Sequence, residues 1–328
     1  MSPNVSRRDN QGLQAILKSG LAGGVAGCVA KTVVAPLDRV KILFQASNPE
    51  FQKYAGTWSG AFKAAGAIYK VGGFRDLLQG HSATLLRVFP YAAIKFMAYD
   101  QVHNILMPTP AQETNFRRFS AGAISGMISV FFTYPLEVIR VRMAFHTRGP
   151  EEVVEKLRPS FTRAARFMYR ETATSTHQTL PIDTNTILNR YPLLKFYRGF
   201  TVTIIGMIPY AGVSFLCWGA LRARFVSRDA SGYQKKPTPL ADLGIGAVSG
   251  VLAQTASYPF EVVRRRMQVG GITQPDRWLR WGETAKTIWQ SKGLRGFYVG
   301  LSIGYLKIVP MTAVSYAVWQ GGKQLMGV

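Results

Sequence analysis

Three copies of one charged motif are the residues of this sequence best suited to chemistry. Each copy contains a proline, an acid two residues later and a base three residues after that. The copies are "PLDRVK" from Pro36, "PLEVIR" from Pro135 and "PFEVVR" from Pro259. Acid and base share one helix face at this spacing, and a single copy would be typical of an ion pair on a solvated face. Each copy, however, extends an apolar helix, where a charge facing lipid is costly, and its proline can kink that helix. Three kinked ends that converge predict a plug of opposite charges.

This sequence contains no residue pattern typical of a catalytic site. The four histidines do not cluster, and no Ser/His/Asp set, metal motif or Walker loop is present. Cys28 and Cys217 lie in apolar stretches without metal-ligand spacing, which favours two small buried side chains. We therefore expect no enzyme, no metal and no cofactor.

The overall charge favours anionic partners. The 328 residues include 40 Lys and Arg against 17 Asp and Glu, a net charge of +23, although only 17% of residues are charged. Nucleic acid, anionic lipid and phosphorylated small molecules all fit such a surplus. The bases are spread along the chain and no RNA- or DNA-binding signature is evident, so a nucleic-acid partner is not expected. A nucleic-acid binder should also be soluble without detergent.

Internal repetition divides the sequence into three units. Glycines stand nine and thirteen residues before each motif proline, which predicts a small-residue face for close helix packing. A second proline helix follows in each unit, at Pro90, Pro209 and Pro310, ten residues after a turn glycine. The predicted organisation is a tail over 1–12, then repeats over 13–110, 115–230 and 238–326. Repeat 2 carries a polar insertion at about 171–193.

The apolar stretches do not identify membrane spans on their own. The candidates at 15–37, 119–135, 202–221, 241–260 and 302–319 are interrupted by Gly, Pro, Ser, Thr and occasional charges. Either the chain is soluble with glycine-rich helices, or its helices line a wet cavity with one side facing lipid. The N-terminus lacks the apolar core of a secretory signal, so any organelle address is expected to be internal.

The triplicate motif, each copy followed by an aromatic- or leucine-rich turn ending in glycine, resembles the mitochondrial carrier family from about Leu13 to Leu325. The resemblance implies an all-α membrane protein with six tilted transmembrane helices. These would form three pseudo-symmetric helix–short helix–helix repeats around a central cavity. It also implies a multi-pass location in the inner mitochondrial membrane, and we expect a monomer.

The resemblance assigns partners between the motifs. Asp38 would pair with Arg140, Glu137 with Arg264 and Glu261 with Lys41, closing a gate on the matrix side. Gln45 and Gln268 match the family's bracing glutamine, whereas Ala144 does not. Arg39, Arg142, Arg265 and Arg266 are expected to be solvated or to face lipid. A cytoplasmic gate is reduced to Asp100, Arg222, Gln320 and Lys323, with His103 in place of one base.

Residues that break the threefold pattern could recognise an asymmetric solute. Isolated bases stand at mid-membrane depth at Lys31, Arg87, Lys95 and Lys307, where cations facing a cavity suit phosphates. By resemblance, Arg87, the pair Gly206 and Met207, and Lys307 fall at the three substrate contact points. The glycine would let an adenine approach the backbone. Tyr91 and Tyr210 could flank a base or a pantetheine arm, or equally pack in the core.

The stretches at 77–101 and 197–215 resemble most the coenzyme A carrier branch. An exchanger of adenine nucleotides or adenosine 3′,5′-bisphosphate is the alternative. A non-transporting cationic membrane scaffold is a further one, although it has no need for mid-helix bases. The turn glycines have a second implied use, because the family binds cardiolipin at such turns. Those positions are Gly56, Gly80, Gly199 and Gly300.

Overall fold

The computed structural model describes residues 3–109, 112–147, 160–170, 191–225, 239–273 and 279–326. Regular secondary structure in these ranges is helical throughout, which confirms the all-α prediction. Most of the predicted repeat 2 insertion, residues 171–190, lies outside them. The chain divides into two compact units, each considered by itself. Unit one contains Met1–Phe44, Asn48–Phe167 and Ser302–Val328, and unit two contains Gln45–Ser47 and Met168–Leu301.

The long helices carry the motif prolines and the second prolines in their interiors. They are α1 (Pro3–Gln45), α3 (His81–Leu106), α4 (Asn115–Phe145), α6 (Phe200–Phe225) and α7 (Pro239–Thr273). The last long segment is split at Lys307 into α9 (Leu301–Leu306) and α10 (Ile308–Met326). Helix α4 begins after Thr114, whose hydroxyl accepts a hydrogen bond from the Arg117 amide, as expected of an N-cap.

A short helix precedes the second long helix of each repeat. These are α2 (Trp58–Leu77), α5 (Phe161–Arg170) and α8 (Trp281–Lys292). Gly73 inside α2 and Gly293 after α8 hold equivalent positions, with φ of 70° and 56°, and each interrupts the helix. In repeats 2 and 3 a 3-10 helix follows, Pro192–Tyr197 and Gly293–Tyr298. Gly80, Gly199 and Gly300 then adopt left-handed φ values of 84°, 79° and 82° immediately before α3, α6 and α9.

Three helical stretches are long and apolar enough to cross a membrane. They are Phe116–Phe145, Pro192–Phe225 and Trp281–Gly322. They contain the sequence candidates 119–135, 202–221 and 302–319. The candidates 15–37 and 241–260 do not reach that threshold among the residues searched. Helices α1 and α7 each carry one charged motif, and α4 carries the third although it reaches the threshold.

The small residues directly before the predicted glycines are buried: Ala22 and Ala26 on α1, Ala121 and Ser125 on α4, and Ser249 on α7. Of the predicted glycines, Gly126 is buried as well. By contrast, a Cβ built on Gly23, Gly27, Gly122, Gly246 or Gly250 would meet no atom within 4 Å. These five glycines lie about 100° around the helix from the buried residues that precede them, and close helix packing on the glycine face stays a prediction.

Candidate substrate and gate site

Asp38 joins one motif base to one of the bases predicted for substrate. This buried carboxylate lies near the C-terminal end of α1. Its Oδ2 lies 3.2 Å from Arg140 Nη2 on α4, and its Oδ1 lies 2.8 Å from Lys307 Nζ at the break between α9 and α10. The structure therefore brings together Asp38 and Arg140, and it adds Lys307, whose place beside a motif acid was not expected from the sequence.

Glu137 is likewise in contact with a base predicted for substrate. Its buried Oε2 lies 3.0 Å from Nη1 of Arg87 on α3. The Arg87 Nε also donates to Thr133 Oγ1 at 3.5 Å, one helical turn before Glu137. The guanidinium lies 5.4 Å from the ring centre of Tyr91, within reach of a cation–π interaction. Arg87 is thus oriented by α4 and by its own helix.

These contacts define what the arrangement can do chemically. Guanidinium and ammonium groups bind carboxylate and phosphate oxygens through the same charge-assisted hydrogen bonds. Arg87 and Lys307 each retain partial exposure, whereas the carboxylates that they contact are almost fully covered. An incoming phosphate could therefore compete with Glu137 for Arg87 and with Asp38 for Lys307.

The structure gives the helix and the burial of the other motif charges. Lys41 is buried near the end of α1, and Glu261 and Arg264 are half-buried one turn apart on α7. The pairings of Glu137 with Arg264 and of Glu261 with Lys41 each join the two units, and they stay predictions.

The glutamines expected to brace the motif pairs make the following hydrogen bonds, and their bracing role stays a prediction. Gln45 Nε2 donates to the Tyr258 hydroxyl at 2.9 Å, and that hydroxyl donates to the Val299 carbonyl at 3.0 Å. The Tyr258 ring also stacks with Tyr298 at 6.2 Å. Gln268 Oε1 accepts from Arg265 Nη1 at 2.9 Å. Sequence reasoning missed Tyr258, although the residue before the motif proline is tyrosine in two of the three copies.

Arg39 corrects an expectation of the sequence. Arg39, Arg142 and Arg265 were expected in solvent or lipid, and this was wrong, since their exposed fractions are 3%, 4% and 9%. Arg39 donates to the carbonyls of Ala144 at 3.2 Å and His146 at 2.9 Å. Asn48 Nδ2 donates to the intervening Phe145 carbonyl at 3.2 Å. The reason is that the last carbonyls of α4 need donors, which these side chains supply.

The remaining predicted bases of unit one are less constrained. Lys31 is half-buried on α1, and Lys95 is exposed on α3, two turns after Arg87. Next to Lys31, the Thr32 hydroxyl lies 2.9 Å from His81 Nε2. His81 lines a small cavity together with Asp38 and Arg140, so this histidine is a neighbour of the charged site that its sequence position did not reveal.

The contact point predicted at Gly206 has a packing explanation. A Cβ built on Gly206 would lie 2.9 Å from Phe260 Cβ, so the glycine lets α6 approach α7. The side from which the missing Cβ would project is therefore occupied by Phe260 rather than open to a planar ring. Met207 is half-buried and Tyr210 is exposed on the same helix.

The predicted cytoplasmic gate is only partly described. Arg222 Cζ lies 4.7 Å from the Trp218 ring centre, and Gln320 Nε2 donates to the Tyr316 hydroxyl at 2.8 Å. Asp100 is exposed, and the side chain of Lys323 lies outside the described residues. The pairing of Asp100 with Arg222 joins the two units and stays a prediction.

His103 stands where the gate motif would have a base. It contacts Glu113, an acid that the sequence analysis did not assign to the gate. Its Nε2 lies 3.4 Å from Glu113 Oε1 in the α3–α4 connection. Arg118 also bonds Glu113, and this hydrogen bond and charge lower the pKa of the exposed Glu113 carboxyl.

The turn glycines all have positive φ values. A Cβ at Gly80 would lie 2.9 Å from the Arg140 carbonyl oxygen and 3.4 Å from Ala144 Cβ, so this turn packs against α4 beside the charged site. Gly56, with φ of 103°, has open space around it. Binding of cardiolipin at Gly56, Gly80, Gly199 and Gly300 stays a prediction. In the described part of the chain, no group of three or more His, Cys, Asp or Glu could hold a metal ion.

Comparison with known proteins gives a family match along most of the chain. The profile of the family described as "Mitochondrial carrier protein" matches three times, at residues 13–109, 111–229 and 235–327.

Individual relatives align along most of the chain. An uncharacterized mitochondrial carrier of Schizosaccharomyces pombe is 44% identical, covering 95% of both chains. The mitochondrial carrier protein LEU5 of Saccharomyces cerevisiae is 41% identical over 98% of this chain and 93% of its own. The human mitochondrial coenzyme A transporter SLC25A42 is 36% identical over 96% of this chain and 88% of its own.

Proposed function

Because the chain belongs to the mitochondrial carrier family, we propose that it moves coenzyme A across the inner mitochondrial membrane by alternating access. As a member of this family the protein is a multi-pass protein of that membrane. The observation that carries the proposal is the position of Arg87 and Lys307. Each is a partly exposed base in contact with a covered motif acid.

The choice of coenzyme A follows from the number and type of groups available. Coenzyme A offers a 3′-phosphate, a pyrophosphate and an adenine, and four isolated bases suit several phosphates. These bases are Lys31, Arg87, Lys95 and Lys307. The similarity to a named mitochondrial coenzyme A transporter supports the same substrate class.

Substrate phosphates would act on the gate by competition for the bases. When a phosphate binds Lys307, Asp38 keeps only Arg140 of the two cations that contact it in this structure. When a phosphate binds Arg87, Glu137 loses that partner as well. Substrate then binds the open state better than the closed state, and this difference in affinity shifts the equilibrium toward opening.

The adenine would lie beside Met207 and Tyr210 rather than directly against Gly206. Phe260 fills the side of Gly206 where a planar ring could approach the backbone. Tyr210 is exposed one turn later on α6, and its ring could stack on adenine. Tyr91 beside Arg87 could flank the pantetheine arm.

The remaining site residues have supporting roles in this proposal. Cardiolipin binds at the turn glycines Gly56, Gly80, Gly199 and Gly300, and the protein acts as a monomer. On the cytoplasmic side a weak gate is formed by Asp100, Arg222, Gln320 and Lys323. An exchanger of adenine nucleotides or adenosine 3′,5′-bisphosphate is the second candidate, because these solutes share the adenine and the phosphates that the bases would recognise.

The decisive experiment is uptake of radiolabelled coenzyme A into liposomes that contain the purified protein. Separate batches are loaded with coenzyme A, ADP, ATP or adenosine 3′,5′-bisphosphate. We expect coenzyme A uptake in the wild type and its loss in Arg87→Ala, with uptake retained in the control Arg166→Ala, an exposed base on α5. Nucleotide exchange without coenzyme A uptake would favour the second candidate, and undiminished uptake by Arg87→Ala would refute the role of Arg87.

A further inference from the structure

His81 joins the first two long helices of the chain beside the charged site. Its Nε2 lies 2.9 Å from the Thr32 hydroxyl oxygen, although the two residues are 49 positions apart in the chain. Thr32 is on α1, six residues before Asp38, and His81 is the first residue of α3. The contact therefore links the helix that carries a buried motif acid to the turn at Gly80. All of these residues belong to unit one.

The hydrogen bonds of Thr32 fix which nitrogen of the imidazole carries a hydrogen. A threonine hydroxyl has one hydrogen to donate, and this one is donated to the Cys28 carbonyl at 2.9 Å, one helical turn earlier. The hydroxyl oxygen therefore accepts from His81, and Nε2 carries the hydrogen of that contact. Nδ1 is then the nitrogen at which the ring gains or loses its second proton.

Charged side chains lie around the His81 ring on both helices that pack against it. Three of them line one small cavity together with the ring: Asp38 and Arg39 from α1, and Arg140 from α4. The other described residues that line this cavity are uncharged. Beyond it, Lys31 is next to Thr32 on α1, and Lys307 contacts Asp38. A second proton on the ring would therefore meet one carboxylate and several bases.

The carboxylate beside the ring is already shared by two bases in this structure. Asp38 lies 3.2 Å from the Arg140 guanidinium and 2.8 Å from the Lys307 ammonium. Its negative charge is thus compensated before any proton binds to His81, while the guanidinium of Arg140 would repel an imidazolium. The arrangement with the Asp38–Arg140 contact formed therefore suits a neutral imidazole.

We propose that His81 is a positioning residue of the charged site, and that binding of a proton at its Nδ1 weakens the Asp38–Arg140 contact. The proposal rests on the carrier function proposed above. An imidazolium attracts Asp38 and repels Arg140, which separates the two partners. Once they have separated, the repulsion by Arg140 falls, so the open arrangement binds the proton more tightly. Because such coupling is reciprocal, protonation shifts the equilibrium toward opening.

The first test compares uptake at different pH values in liposomes whose inside and outside have the same pH. His81→Gln keeps an N–H group that can donate to Thr32 but cannot titrate, and His81→Ala removes both properties. The control is His146→Gln, at an exposed position directly after α4. Each rate is divided by the wild-type rate at the same pH, which cancels the titration of the solute's own phosphates.

We expect the rate of His81→Gln relative to the wild type to fall about threefold or more between about pH 8 and pH 6, because only the wild type gains the proton that favours opening. The ratio for His146→Gln should stay constant over this range. His81→Ala should show the same fall as His81→Gln and should also unfold at a lower temperature, since its link to Thr32 is lost. A constant ratio for both His81 variants would overturn the proposal.

A second measurement does not depend on transport. Isotope-labelled histidine gives the detergent-solubilised carrier one set of ring signals for each of its four histidines, and the His81 signals are those absent from a His81 variant. In Arg140→Gln we expect the midpoint of the His81 titration to move to higher pH by about half a pH unit or more, while the His146 midpoint stays in place. An unmoved His81 midpoint would refute the coupling even in a carrier that takes up coenzyme A. A moved midpoint supports the coupling even if another solute is transported.

Discussion

The Lys307 ammonium lies 2.8 Å from one carboxylate oxygen of Asp38, so a base expected to hold substrate is bound to an acid expected to close the gate. Arg87 and Glu137 have the same relationship at 3.0 Å. Two independent contacts thus join bases proposed to bind solute to acids of the charged motif.

Removing the Glu137 charge should strengthen substrate binding while impairing transport. In Glu137→Gln the carboxylate no longer competes with phosphate for Arg87, so we expect the dissociation constant for coenzyme A to fall by up to about tenfold, equivalent to about 1.4 kcal/mol. Calorimetric titration of the detergent-solubilised carrier would measure it. The control is Asp242→Asn, an exposed acid in the first turn of α7. Weaker binding by Glu137→Gln would contradict competition at Arg87.

Exchanging the charges of Asp38 and Arg140 should partly preserve function. Arg140→Glu alone places like charges together and should abolish uptake, whereas Asp38→Arg combined with Arg140→Glu restores an opposite-charge pair. Restoration should be incomplete, since Lys307 would then lie beside an arginine.

The matched control for this exchange combines Asp38→Arg with Arg264→Glu, which leaves Arg140 facing an arginine. Liposome uptake that is no better in the Asp38–Arg140 exchange than in this control would count against the pair.

Arg39 should be a strong determinant of stability. Arg39→Ala removes two charge-assisted hydrogen bonds to the last carbonyls of α4, a loss of roughly 3 kcal/mol in the free energy of unfolding. Thermal unfolding in detergent would measure the change. The exposed Arg163→Ala should change stability by less than about 0.5 kcal/mol. Equal unfolding temperatures for the two variants would refute the role of Arg39 as a cap.

Tyr258 should contribute through its hydroxyl group as well as its ring. Tyr258→Phe keeps the stacking with Tyr298 but leaves the Gln45 amide and the Val299 carbonyl without this partner. We expect a loss of about 1–3 kcal/mol in unfolding free energy. Tyr191→Phe, at an exposed position, is the control. If both variants unfold at the wild-type temperature, the hydrogen-bonded chain is not stabilising.

Gly80 and Gly56 allow conformational strain to be separated from close packing. Alanine at either position would have to adopt a left-handed conformation, at a cost of roughly 1–2 kcal/mol. At Gly80 the new Cβ would also collide with the Arg140 carbonyl, while at Gly56 it would meet open space. We expect Gly80→Ala to unfold at a clearly lower temperature than Gly56→Ala and to lose uptake. A reversed order would contradict the packing of this turn.

The repeated parts of this protein were predictable because a feature that recurs at the same position in three copies is unlikely to occur by chance. The motif prolines, the turn glycines and the all-α architecture follow from positions that recur in register. The contact between Asp38 and Arg140 was also expected, although its function as a gate stays a prediction.

The contacts that break the symmetry could not be read from the sequence. Arg87 and Lys307 lie 50 and 269 residues from the acids that they contact. Nothing in the local sequence indicates which acid each side chain reaches. Arg39 was expected at the surface because its partners are backbone carbonyls. Every residue has a backbone carbonyl, so the residue types in the sequence do not indicate such a partner.

Ala144 stands where the other two copies of the motif have glutamine. Its Cβ lies 3.4 Å from the place where a side chain of Gly80 would begin, so the α4 backbone and the turn approach each other closely here. A version of this protein with three identical repeats would place glutamine here and so add a longer side chain at this point of close approach. We therefore expect a version averaged over the three repeats to be less stable than the irregular natural one.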